Sequence, residues 1–173
     1  MWKTAGSSSL GNWIDSNVCV MPDLVQVDPV ALLPTQAGCA VFLGNSEKSI
    51  VFYIEPAIGA SITDALSDRH PPRPLTHDLF NDALKAFGAV VQRVVIVRVE
   101  DDVFYARLFI EAENEINEKL IVELDARPSD SIALAVRQQA PLYVIQDVWD
   151  GLKDMTSALE ELRDKGMELE GGD

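Results

Sequence analysis

Leu120-Ile121-Val122-Glu123-Leu124-Asp125-Ala126-Arg127-Pro128-Ser129-Asp130-Ser131-Ile132-Ala133-Leu134-Ala135 changes its hydrophobic period halfway along, and that change decides the fold. Leu120, Val122 and Leu124 recur at spacing two, as in a strand with one face buried. From Ser129 to Gln139 the spacing becomes helical, with Ile132, Ala135 and Val136 on one side. Pro128 sits at the join, where a helix start has no use for the missing N–H. A strand that hands straight over to a helix packs that helix back on its own sheet.

A second block, Arg73-Pro74-Leu75-Thr76-His77-Asp78, precedes a helix expected over 77–87, with Phe80, Leu84 and Phe87 as its buried stripe and Gly88 as its stop. Thr76 and Ser129 are the expected N-caps, their hydroxyls accepting from first-turn N–H groups. Polar side chains thus gather at two helix starts, where the macrodipole favours bound anions.

Outward from these blocks, Leu24 to Val27, Cys39 to Leu43 and Ser49 to Ile54 read as strands, and Ala57 to Leu66 as a helix. Val90 to Val99 and Val103 to Ile110 read as further strands, with Val91, Val95, Val97 and Val99 sharing one face of the former and Val90, Val94 and Ile96 the other. Leu142 to Ile145 forms a last short strand. The layout is α+β, a mixed sheet with helices packed mainly on one face. Residues 1–21 form a Ser- and Gly-containing lead-in, 22–150 the domain, and 151–173 an acidic amphipathic helix and tail carrying Met155, Leu159 and Leu162. A weak internal strand–helix echo accompanies this layout. A shift of 70 residues sets Glu55 on Asp125, Ile62 on Ile132 and Pro71 on Pro141.

The chain holds 14 basic and 28 acidic residues, a net charge of −14, which opposes binding of phosphate polymers unless a basic patch or cations intervene. Two cysteines, Cys19 and Cys39, lack metal spacing, and a bridge between them is not expected. No signal peptide and no membrane-length apolar run is present, so a cytoplasmic protein is expected. Gly-rich phosphate loops and Gly-x-Ser-x-Gly turns are absent.

Five groups stand out for chemistry: Glu55, His77, Asp78, Asp125 and Asp130. Carboxylates at strand ends and helix starts suit a hard divalent cation, Mg²⁺ or Mn²⁺, and Glu55, Asp78 and Asp125 are the expected ligands. Such an ion lowers the pKa of bound water and neutralises a phosphodiester under attack. His77 suits proton transfer near neutrality. Arg73 and Arg127 suit phosphate contacts, with Thr76 and Ser129 beside them for substrate. Set against this, acidic residues in first helical turns are favoured by the dipole alone, and Arg127 serves equally as a local ion-pair partner.

At these residues the chain resembles the bifunctional nuclease domain family of bacteria and plants. The resemblance rests on Glu55 before an Ala-rich helix, the 73–78 block, Phe104-Tyr105-Ala106 on a strand, and Asp125 to Ala135. It covers about residues 22–150 and departs at Pro56, where the family usually has Ala. It implies a compact α+β homodimer with nuclease activity on DNA and RNA. The competing expectation is a non-catalytic dimeric module that binds a protein partner or a small anion at its helix N-termini.

Overall fold

A computed structural model describes residues 22–36, 38–69, 71–113 and 118–164; the lead-in, Cys19, His70 and the last nine residues lie outside it. Three strands, β1 (Leu24–Thr35), β2 (Gly38–Gly44) and β3 (Ser49–Ile54), form an antiparallel meander that ends in helix α1 (Pro56–Leu66). After α2 (Thr76–Ala86) the pattern recurs: β4 (Ala89–Glu100), β5 (Val103–Glu113) and β6 (Lys119–Ala126) form a second antiparallel meander ending in α3 (Pro128–Gln138). Strand β7 (Leu142–Ile145) lies between β1 and β4, antiparallel to the first and parallel to the second. The sheet order is therefore β3-β2-β1-β7-β4-β5-β6, and the strands feeding α1 and α3 are its two edges. The expected α+β layout holds. The two helices do follow equivalent strands, but their caps are offset by 72 residues: Glu55 caps α1 and Arg127 caps α3.

Pro56 and Pro128 explain that placement. Each takes the first helical position, which moves the cap one residue back into extended backbone. Ser129 is consequently a buried first-turn residue, not the N-cap expected of it. Thr76 is likewise exposed within the first turn of α2, because the Asp78 carboxylate accepts from the Leu75 N–H at 2.8 Å and does the capping.

Inward-facing Val27, Leu32, Val41, Leu43, Ile50, Val94, Ile96, Leu108, Leu142 and Val144 make one core with Ile62 of α1 and Ile132 of α3. The sheet curls until Phe52 of β3 and Phe104 of β5, from distant strands, place their ring centroids 5.0 Å apart. Gly59 lets α1 settle on β2, since a Cβ there would stand 2.6 Å from the Cys39 side chain. Cys39 is buried and unbridged, and burial pushes its thiol pKa up against a weaker opposing backbone hydrogen bond at Leu33.

Strict alternation along β4 does not survive. Register shifts bracket Gln92 and Val97, each a bulge that takes one residue out of phase. Val91, Val94, Ile96 and Val99 therefore lie opposite the inward residues Ile110, Leu108, Ala106 and Phe104, while Arg93, Val95 and Arg98 face outward opposite Phe109, Arg107 and Tyr105. Helix α2 departs from its expected stripe as well. Leu84 packs against the core, whereas Phe80 is exposed and Phe87 is 84% exposed. The polar side of α2 does the docking, with Asn81 buried and bonded to Gln138 at 2.8 Å.

After β7 the chain forms two helices where one was expected. The first, α4 (Gln146–Gly151), buries Trp149 in the main core. The second, α5 (Thr156–Asp164), with Met155 just before it, sets Leu159 and Leu162 against Ala31, Leu33, Ala40 and Phe42 on the sheet's other face. Lys48 ties the connection down, donating to the carbonyls of Trp149 and Leu152 at the C-terminal end of α4, where the dipole favours a cation. No helix among the described residues is long and apolar enough to cross a membrane.

Candidate functional site

The two polar blocks meet at the start of α3. His77, in the first turn of α2, places Nε2 3.0 Å from Oδ1 of Asp130, in the first turn of α3. The Arg127 guanidinium closes the group: its Nε donates to Asp130 Oδ2 at 2.7 Å and its Nη1 to Glu55 Oε1 at 2.9 Å. That second bond joins the caps of α1 and α3, so the two meanders meet at one cluster. His77 is mostly covered, Asp130 is one-third exposed, and Arg127 and Glu55 open to solvent.

Burial acts to raise the Asp130 pKa, yet hydrogen bonds from Arg127 and His77 outweigh it and hold the carboxyl below the usual range. The same contacts, from Asp130 first and Glu55 second, raise the pKa of Arg127, which stays charged at any working pH. With Nε2 turned to Asp130, the carboxylate fixes the ring orientation and leaves Nδ1 facing away from it. Pro128 contributes no amide hydrogen, but the next N–H groups of α3 begin the helix and favour an anion there.

The remaining candidates go elsewhere. Asp78, one residue after His77, is rotated about 100° around the helix. It meets Arg137 in the last turn of α3, accepting from Nε at 2.7 Å. Arg137 in turn donates to the Ala133 carbonyl at 2.6 Å and to the Ser61 hydroxyl at 2.8 Å, and so fastens α1, α2 and α3 together. Burial raises the Asp78 pKa, but the Leu75 amide and Arg137 lower it further, and the net shift is down. Asp125 faces the opposite side of the sheet, because Leu124 and Ala126 pair with the inward Leu108 and Ala106; it is bound by Arg107 of β5. Arg73 is exposed in the turn before α2.

The expectation that Glu55, Asp78 and Asp125 converge on one metal is thus corrected. Each is matched to a different guanidinium, of Arg127, Arg137 and Arg107. Among the described residues no three His, Cys, Asp or Glu side chains gather as a metal-ligating group. Between Glu55 and Asp130, the two carboxylates that do share a partner, stands the Arg127 cation. The donor set as placed does not fit the expected ion. Sequence reasoning missed Arg137 and Arg107. For Arg137 the available signal was an arginine seven residues after Asp130, two turns along the same face of α3.

Comparison with known proteins adds to this geometry. The sequence profile of the bifunctional nuclease domain matches residues 41–155. An uncharacterized protein of Mycobacterium tuberculosis is 35% identical over 104 residues, 60% of this chain and 58% of that protein. A protein of Oryza sativa subsp. japonica named Bifunctional nuclease 1 is 31% identical over 80 residues, 46% of this chain and 24% of its own length. The match thus spans well under two thirds of either relative.

Proposed function

Because the chain belongs to the bifunctional nuclease domain family, we propose that it hydrolyses phosphodiester bonds in DNA and RNA with little sequence preference, at the start of α3. The observation that carries this reading is the His77–Asp130 contact, which brings the two polar blocks together beside Arg127. His77 takes the proton from an attacking water through Nδ1 as that oxygen bonds to phosphorus, and Asp130 stabilises the imidazolium that results. The imidazolium returns the proton to the leaving sugar oxygen as its P–O bond breaks. Arg127 and the first N–H groups of α3 offset charge on the phosphoryl oxygens. Glu55 holds Arg127 in place. His77 and Asp130 are the catalytic residues of this reading; Arg127 and Glu55 bind and position.

Arg127 is already shared by two carboxylates, so a phosphate has to compete with them for it. That favours a second reading, a small-anion module without turnover. Cleavage of labelled DNA and RNA by the purified chain, in Mg²⁺, in Mn²⁺ and in chelator, separates the two and tests the cation at the same time. In the nuclease reading, His77→Ala and Asp130→Asn lower the cleavage rate by about 10²-fold or more, with unchanged circular dichroism. Wild-type activity retained in His77→Ala would sink the assignment. The reading also includes a homodimer, supported by apolar side chains left in solvent on α2 and β6.

A further inference from the structure

The outward face of β4, β5 and β6 gathers basic residues that the site above does not use. The bulges at Gln92 and Val97 bring Arg93 and Arg98 to that face, each lying over an aromatic ring of β5. The Arg93 guanidinium carbon is 4.2 Å from the Phe109 centroid, and that of Arg98 is 4.0 Å from the Tyr105 centroid. Arg107 lies between them, opposite buried Val95, and binds Glu123 and Asp125 of β6. Lys119 pairs with Glu111, and Arg98 with Glu100. With Glu113 opposite Lys119, the carboxylates here outnumber the cations by one, a small excess in a chain whose net charge is −14. A polyanion is repelled less on this face than over the rest of the molecule.

The face also leads to the proposed site. Ala106 and Ala126 are the last partners of the β5–β6 ladder at that end, so Tyr105 and Arg127 stand one step beyond it on neighbouring strands. Arg98, Tyr105 and Arg127 therefore follow one another in a row across the end of the sheet, with Arg107 in the next row beside Asp125, and Arg127 bonds to Asp130.

We propose that this row binds a single-stranded polynucleotide, whose bases stack on the Arg98–Tyr105 and Arg93–Phe109 platforms while its backbone passes to Arg127. This rests on the nuclease reading above and adds a substrate class to it. Flat guanidinium and aromatic surfaces receive unstacked bases, which a duplex keeps to itself. A duplex binds chiefly through neutralised phosphates, and a face without net positive charge offers little of that.

The test is fluorescence anisotropy of a labelled thymidine homopolymer and of a duplex of equal length, with the full chain in chelator. The wild type is expected to bind the single strand more tightly than the duplex. Tyr105→Ala and Arg98→Ala are each expected to weaken single-strand binding by about tenfold, while Tyr105→Phe, which keeps the ring, retains it. Melting temperature is read for every variant. Arg98→Glu repeats the test on a side chain 46% exposed should Tyr105→Ala prove unstable. Equal affinity for both nucleic acids, or unaltered binding by the folded Arg98 and Tyr105 variants, overturns the proposal. Wild-type hydrolysis of bis(p-nitrophenyl) phosphate, a diester with no base to stack, reports on the nuclease reading separately. Without that hydrolysis the nuclease reading fails, yet single-strand binding that depends on Tyr105 still upholds the face.

Discussion

Arg137 shows how one side chain decides what its neighbours can do. It is 8% exposed, and it spends its donors on Asp78, Ser61 and Ala133, so that three helices share one cation. Because it anchors the first turn of α2, it also sets where His77 stands above Asp130. Arg137→Ala leaves the Asp78 carboxylate without its cation and is expected to cost about 3 kcal/mol in urea denaturation. Acid has a related effect. The Asp78 pKa in the folded chain lies below its ordinary value of 3.8. Its contribution is therefore complete above that value and is lost as pH falls through the folded pKa. Asp78→Asn should flatten the acid side of the stability curve below about pH 4, read by thermal melts across pH. An unchanged acid slope would mean that Asp78 carries no linkage.

At the scale of elements, α5 is the clearest case of an amphipathic segment finding its place. Its apolar side meets Ala31, Leu33, Ala40 and Phe42, so that every residue of β2 is buried, covered by α1 on one face and by α5 on the other. Nine residues of isolated helix would be marginal in water, and packing supplies the difference. Leu159, 4% exposed, is the centre of that contact. Leu159→Ala is expected to destabilise by about 2–3 kcal/mol, and truncation after Asp150 to lower the melting temperature with no gain in specific activity. A truncated chain of normal stability but several-fold higher activity would instead make α5 an electrostatic brake on substrate. The α5 segment was legible in sequence as an apolar stripe. Helix α4 was not, because six residues from Gln146 to Gly151 are too few to show a helical period.

The whole molecule leaves its apolar surplus away from where a one-sided helix layer would put it. Bulged β4 sets Arg93 and Arg98 among Val90 and Val95 on its outward face, so the expected continuous valine surface is broken up and only Val90 remains half exposed there. Larger groups of exposed apolar side chains occur on α2, at Leu79, Phe80 and Phe87, and on edge strand β6, at Leu120, Ile121 and Leu124. Edge strands with free backbone groups and apolar side chains favour pairing. We propose these surfaces as the homodimer contact. Phe87→Glu and Leu120→Glu should each shift the chain to monomer in light scattering at micromolar concentration without loss of helix content. A wild type that is already monomeric there removes the dimer.

Local chemistry determined much of this protein from sequence alone. A change of period at Asp125–Pro128, paired Pro helix starts and β-branched runs specify strand, helix and α+β class, because each is a short-range preference of backbone and side chain. The meeting of His77 with Asp130, and of Arg127 with Glu55, was legible only as two polar blocks of matching character. Which members of each block meet is a matter of direction. Helical rotation separates His77 from Asp78, strand alternation sends Asp125 to the far face, and bulges in β4 reset the phase that a strict period of two would give. Those directions follow from how helices seat on a curled sheet, a long-range packing outcome, and only the tertiary structure decided them.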